Sequence, residues 1–216
     1  MIDLDGTLLD TAQDLDTAGN LMLEELGLEQ VGSEKIKTFI GKGVANLAKK
    51  TLEASMGREP GEAYFEDALE IYEKHYLAVV SKDSRPYPGV VEGLEAMKAA
   101  GYPLACITNK VARFTLPLLK DTGLHDYFDL ILSGDSLPRK KPDPMPLLHA
   151  CKHFGIEPRE MLLIGDSIND VQAARAAGCA VFVVPYGYNE GNDVRELDSD
   201  ALVESLVDAT RLIEKI

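Results

Sequence analysis

Met1-Ile2-Asp3-Leu4-Asp5-Gly6-Thr7 opens the chain, and its reading decides the fold. The residues before the acids look like a strand cut very short. On a strand, residues two apart face the same way, roughly 6.6 Å apart. Asp3 and Asp5 are therefore expected to project together at its carboxyl end, with Leu4 pointing into the sheet and Gly6 turning the chain away. Doubly wound folds bind their ligands at that end. Two carboxylates so close repel each other unless a cation or a shared proton compensates. A hard cation with oxygen ligands, such as Mg²⁺, fits. Taken alone, the stretch reads equally well as an acidic turn.

Further along, short apolar runs alternate with helical patterns. The runs are Leu104–Ile107, Leu130–Leu132, Met161–Ile164 and Ala180–Val184. They are continuous rather than alternating, as strands covered on both faces should be. Helical patterns fall near Phe114–Thr122, Pro144–Phe154 and Ile168–Ala177, and Gly101, Gly123, Gly155 and Gly178 follow helices where left-handed caps belong. The alternation predicts an α/β fold with a Rossmann-like parallel sheet.

Three strand ends join the opening stretch at one sheet edge. Thr108-Asn109 follows the Leu104–Ile107 run; alone, that threonine reads as a helix cap. Lys140-Lys141-Pro142 precedes a helix; alone, it reads as a solvated loop. Asp166 lies just past a buried strand, with Asp170 four residues later on the same helical face; acids there are often only dipole partners. Their coincidence at one edge favours a shared site. An aspartate can act as a covalent nucleophile, while threonine and lysine donors hold phosphate oxygens. The set reads as a phosphoryl-transfer site.

Residues 11–83 carry helical periodicity and no strand pattern. Thr11 can cap a helix bearing Leu15, Ala18, Met22 and Leu26, and Ser33 can cap a short second one. Val44, Leu47 and Leu52 mark a third helix, and Phe65, Leu69, Tyr72, Tyr76 and Val80 a long fourth. The expected organisation is a discontinuous α/β core, residues 1–10 and 84–216, interrupted after its first strand by a helical-bundle cap, residues 11–83.

This combination resembles the haloacid dehalogenase-like superfamily of phosphatases. The resemblance implies Asp3 as nucleophile and Asp5 as general acid and base. It implies Thr108, Asn109 and Lys141 as phosphate binders, with Lys141 also catalytic. Asp3, Asp5 and Asp166 would bind Mg²⁺, Asp5 also offering its main-chain carbonyl, with Asp170 in support. Pro86-Tyr87-Pro88-Gly89-Val90, Thr108-Asn109-Lys110, Ser133-Gly134-Asp135, Lys140-Lys141-Pro142-Asp143-Pro144 and Ile40-Gly41-Lys42-Gly43 look like the bacterial phosphoglycolate phosphatase branch. That branch implies 2-phosphoglycolate as substrate. Gly41, Lys42 and Gly43 are the candidate specificity loop of the cap; Lys42 is either a reader of the substrate carboxylate or a solvated lysine in a turn. Alternatives are another small-metabolite phosphatase, a sugar-phosphate mutase of the same superfamily, or a phosphorylation-switched receiver domain. Receivers, however, are about half this length and carry their aspartate on an internal strand.

Composition narrows the partners. With 22 Lys plus Arg against 36 Asp plus Glu, the 216-residue chain has a formal net charge of −14. Duplex nucleic acid and anionic membrane are repelled by such a surface on average, whereas a pocket can still take a small anion. No apolar run approaches the roughly 18 residues of a membrane span. Cys106, Cys151 and Cys179 lie in apolar contexts, as buried thiols of a cytoplasmic protein would. A monomer or a homodimer is expected. His149 and His153 have the spacing of a zinc pair but lack a third ligand. Glu190–Asp208 reads as loop followed by a solvated helix. Only Met1 and Ile2 precede Asp3, so either the chain begins upstream or its first strand is stunted.

Overall fold

The computed structural model describes residues 1–213. After the opening residues come β1 (Leu9–Asp10), α1 (Ala12–Glu25), α2 (Ser33–Lys37), α3 (Val44–Met56), α4 (Glu62–Val79) and β2 (Arg85–Pro86). Then follow α5 (Val90–Ala99), β3 (Ala105–Ile107), α6 (Ala112–Asp121), β4 (Leu130–Leu132), α7 (Met145–Phe154), β5 (Leu162–Gly165), α8 (Ile168–Ala177), β6 (Ala180–Val183), β7 (Ala201–Leu202) and α9 (Leu206–Ile213). This is an α/β fold with a parallel sheet.

The opening residues run between β3 and β5. Ile2 bridges Cys106 on one side and Ile164 on the other, both in parallel. The ladder is tight: Ile2 N–H donates to Ala105 O at 2.8 Å, Ile107 N–H to Ile2 O at 2.9 Å, and Asp3 N–H to Ile164 O at 2.9 Å. The order across the sheet is therefore β4, β3, Ile2, β5, β6, β7, all parallel.

Strand side chains divide between two clusters. Ile2, Cys106, Ile164 and Phe182 enter the cluster that also holds α1–α4, α5 and α9. Met1, Ala105, Ile107, Leu163, Val181 and Val183 enter the other, against α7 and α8. Two-faced burial is what the uninterrupted apolar runs require. Each fully buried aliphatic side chain contributes about 1.5–3 kcal/mol.

β1 and β2 pair antiparallel, Leu9 opposite Pro86, so the chain leaves toward the four helices and returns side by side. Tyr72 and Tyr76 of α4 are wholly buried, while Phe65 and Leu69 are only half-buried. Two helix caps differ from expectation. The Thr11 hydroxyl donates to Asp5 Oδ1 at 2.7 Å instead of capping α1, and the Ser33 hydroxyl donates to Asp16 at 2.8 Å. The Ala12 N–H at the start of α1 donates instead to the Tyr188 hydroxyl and to Asp10, and Gly32, not Ser33, stands at the N-cap of α2.

The acidic tail also departs from its reading. It contains β7, whose two residues are too few to show a period. Its helix α9 packs on α5 with Leu206 and Ala209 fully buried. Cys106, Cys151 and Cys179 are buried free thiols. No helix among the described residues is long and apolar enough to cross a membrane.

Candidate active site

The double-sided ladder at Ile2 fixes the main chain of Asp3 at the carboxyl edge of the sheet. Gly6, at φ +84°, then turns the chain, and its N–H returns to Leu9 O at 2.9 Å. A side chain at Gly6 would be strained there and would collide with the Asp166 carboxylate. The sharp turn ends the strand at Asp3, so Asp5 does not continue the register that Asp3 sets.

Three carboxylates converge. Ligand oxygens of Asp3, Asp166 and Asp170 all lie within 4.8 Å of one another. Lys141 Nζ sits 2.8 Å from Asp3 Oδ1 and 2.6 Å from Asp170 Oδ1. Asp170 belongs to the first turn of α8 and accepts the Ser167 hydroxyl at 2.7 Å and its N–H at 3.2 Å. Asp166 accepts the Thr7 hydroxyl at 3.0 Å and the Tyr188 N–H at 2.7 Å.

The electrostatics follow from burial. Desolvation, with Asp170 and Asp166 adding to it, pushes the Asp3 carboxyl well above its ordinary range despite Lys141. Desolvation and Asp170 push Asp166 up to about 7. Burial opposes the charge on Lys141, yet Asp170 and Asp3 together hold it above the ordinary lysine range. With three acids against one lysine, full ionisation would leave an excess of buried negative charge. Hard oxygen donors in that number and with that charge fit a divalent cation such as Mg²⁺.

Asp5 stands apart from this cluster. Its Oδ1 accepts the Thr11 hydroxyl at 2.7 Å and pairs with Lys110 Nζ at 3.1 Å. Its carboxylate is thus not among the three metal-ligating candidates, contrary to the expectation from strand alternation. Asp5 nevertheless meets Asp3 at a small cavity of about 20 Å³, which Thr108, Asn109, Lys110, Gly41 and Gly43 also line.

Thr108 is buried, and its Oγ1 accepts the Lys110 N–H at 3.1 Å. The Asn109 amide donates to Gly41 O at 3.0 Å and to Lys141 O at 2.9 Å. Both of its amide hydrogens are thus engaged, so the side chain ties the loop to the sheet edge instead of offering donors to an anion. The loop between α2 and α3 lies over the cavity, with Gly43 at φ +90° close to Asn109 O. Lys42 does not face the cavity. Its ammonium pairs with Glu190 at 2.7 Å on the outer side, and its carbonyl accepts from Lys140 Nζ at 2.8 Å. Of the two readings of Lys42, this geometry is that of the lysine in a turn: an acid 148 residues away takes its side chain.

Tyr188, which the sequence left unmarked, and Thr7, Thr11 and Lys110, to which it assigned no role in the site, also shape it. Thr7 and Tyr188 hold Asp166, Thr11 holds Asp5, and Lys110 is 2% exposed. Lys110 carried one signal, its place two residues after Thr108 at a strand end. The Tyr188 contact is made by main chain and leaves no signature.

This arrangement defines a class: an aspartate-based site at the carboxyl edge of a parallel sheet, with a helical segment folded over it. The family profile described as haloacid dehalogenase-like hydrolase matches residues 1–184. The chain belongs to that family. It is 59% identical over 215 residues to a phosphoglycolate phosphatase of Nitrosospira multiformis, covering 100% of this chain and 95% of that one. It is 60% identical over 215 residues to a phosphoglycolate phosphatase of Thiobacillus denitrificans, with the same coverage. Among solved structures, a predicted phosphoglycolate phosphatase from Haemophilus somnus superposes with a TM-score of 0.94 at 35% identity, covering 98% of this chain and 96% of that one.

Proposed function

We propose that this chain is a Mg²⁺-dependent phosphomonoesterase that hydrolyses 2-phosphoglycolate to glycolate and phosphate in the cytoplasm. The observation that carries the reading is that Asp3 and Asp5 line one small cavity while each is held by a different buried lysine. The relatives described above supply the substrate.

In this mechanism an Asp3 carboxylate oxygen attacks phosphorus and the ester P–O bond breaks. Asp5 donates its proton to the leaving alkoxide, which departs as glycolate. Asp5 then takes a proton from water as that water attacks the phosphoaspartate, releasing phosphate and restoring Asp3. Lys141 opposes the burial that disfavours charge on Asp3 and, with Thr108, holds phosphate oxygens. Mg²⁺ held by Asp3, Asp166 and Asp170, with the Asp5 main-chain carbonyl, would offset their charge and that of the phosphate. A cavity of about 20 Å³ has room for roughly one water. On this reading the Gly41–Gly43 loop moves to admit substrate, and its reclosure excludes bulk water. Residues 11–83 serve as the mobile cap on this reading.

Phosphate release from 2-phosphoglycolate, with Mg²⁺ present or chelated, tests the proposal. Release should require the metal and vanish in Asp3→Asn, whose circular dichroism should match wild type. Turnover that survives Asp3→Asn rules out the covalent route. Accumulation of a sugar bisphosphate in place of phosphate would point to the mutase alternative.

A further inference from the structure

We propose that Lys110 is the specificity residue that reads the acidic group of the substrate, so that the cavity selects phosphomonoesters carrying a carboxylate two atoms from the bridging oxygen. This inference rests on the phosphatase reading above.

A phosphate-binding sheet edge does not discriminate among small esters. Something else must recognise the organic part of the molecule, and for glycolate that part is almost entirely a carboxylate. Lys42 is turned outward to Glu190, and Lys141 is committed to Asp3 and Asp170. Lys140 donates to the Lys42 carbonyl. Lys110 is the one cation among the described residues lining the cavity.

Its setting suits the role. The Lys110 side chain is 2% exposed. Its ammonium donates to the Tyr76 hydroxyl at 2.6 Å and lies 4.7 Å from that ring's centroid. It also forms an ion pair with Asp5 Oδ1 at 3.1 Å. An ammonium has three N–H donors, so with Tyr76 and Asp5 served at least one remains for a ligand. Tyr76 is itself wholly buried in α4; the lysine is thus clamped from the helical segment and aimed by the sheet edge. On the helical side the cavity wall carries the apolar side chains of Leu15, Ile40, Val44 and Leu47. These side chains offer a carboxylate no other partner, and they keep the local dielectric low enough for a charge pair to matter.

The distances also fit the substrate's length. Asp5 must touch the bridging ester oxygen to protonate it. In 2-phosphoglycolate one methylene separates that oxygen from the carboxylate carbon. A cation within hydrogen-bond reach of Asp5 therefore reaches the carboxylate when Asp5 reaches the bridge. A longer acidic ester would overshoot Lys110, and an uncharged one would leave its third donor without a partner.

The test compares 2-phosphoglycolate with ethyl phosphate, which keeps the two-carbon skeleton and an alkoxide leaving group of similar basicity but lacks the charge. Wild type should prefer 2-phosphoglycolate. In Lys110→Met the ratio of kcat/KM values, 2-phosphoglycolate over ethyl phosphate, should fall roughly ten- to a hundredfold, the worth of a buried charge-assisted hydrogen bond. A role limited to positioning Asp5 would slow both esters alike and leave the ratio unchanged; a ratio within about threefold of wild type overturns the assignment. If Lys110→Met misfolds, Lys110→Gln, which keeps a donor for Tyr76, carries the same ratio test. If the folded variant is too slow on both esters, calorimetric binding in an Asp3→Asn background replaces turnover, and the same loss of preference is expected in Kd. Wild type that hydrolyses ethyl phosphate as well as 2-phosphoglycolate would instead remove the substrate reading, and Lys110's role with it.

Discussion

At the sheet edge, Lys141 is 2% exposed and joined to Asp3 and Asp170; in the loop between α2 and α3, Lys42 is 49% exposed and joined to Glu190. Both lysines connect segments far apart in sequence, but the consequences differ. Removing one partner of a buried ionic cluster leaves uncompensated charge in a poor solvent, which costs about 3–5 kcal/mol. An exposed pair contributes about 0.2–1 kcal/mol and is screened by salt. The sheet edge is therefore a fixed device. The loop above it is held by two hydrogen bonds to its main-chain carbonyls, from Asn109 and Lys140, and by one exposed ion pair. Such contacts can break and reform on each turnover without threatening the fold.

The strongest way to break the fixed side is Asp5→Asn. General acid–base help is worth roughly 10²–10⁴-fold, and that is the expected fall in kcat on 2-phosphoglycolate. For p-nitrophenyl phosphate, whose leaving group needs little protonation, the fall should be clearly smaller. Steady-state kinetics with the two substrates decide it, and equal losses would remove the acid role from Asp5.

Much of the fixed side was legible because the period of an α/β chain places every strand's carboxyl end at one edge. Asp3, Thr108, Lys141, Asp166 and Asp170 could be gathered from residue type and position after a strand. Asp5 shares the cavity with Asp3, but its carboxylate lies outside the cluster of Asp3, Asp166 and Asp170. The alternation rule holds only while a ladder continues, and Gly6 ends this one at Asp3. The loop was harder to read. Nothing in Gly41-Lys42-Gly43 indicates which way a lysine flanked by two glycines will point. That is settled by Glu190, an acid whose own backbone takes a positive φ of 53°. Lys110 shows the intermediate case: its place was visible, but its burial depends on Tyr76 of α4 folding back over it.

A pH experiment sharpens the contrast without mutation. Asp166 has its carboxyl raised from 3.8 to about 7, chiefly by burial, and Asp3 is raised in the same direction. The native state thus binds more protons than the unfolded chain between about pH 4 and pH 7. Stability without metal should therefore fall from this source as pH rises through that window. Metal binding needs the deprotonated carboxylates, so its stabilisation should grow over the same window. Thermal unfolding with chelator or with a fixed Mg²⁺ concentration, at pH 5 and pH 7.5, reads the difference. The increment in Tm given by Mg²⁺ should be larger at pH 7.5. Equal increments would mean that the cation does not sit on these buried acids.

The smallest effect is expected on the loop side, from Lys42→Ala. The pair with Glu190 is 49% and 27% exposed, so its loss should cost less than about 1 kcal/mol in chemical denaturation. The main-chain bonds from Asn109 and Lys140 remain, so the loop still has its seat over the cavity. What changes is the balance between open and closed arrangements, by at most the worth of the lost pair. An energy of about 1 kcal/mol is roughly a fivefold change in an equilibrium, which bounds the shift in kcat/KM. Because the side chain faces away from the cavity, 2-phosphoglycolate and ethyl phosphate should shift together, and the preference between them should stay as in wild type. Raising the salt to about 1 M, where the screening length is roughly 3 Å, should erase the difference between variant and wild type. If Lys42→Ala instead lost the preference for the carboxylate ester, as Lys110→Met is expected to do, its ammonium would have to leave Glu190 and turn inward when substrate binds. The division between a fixed edge that chooses the substrate and a loop that only covers it would then fail.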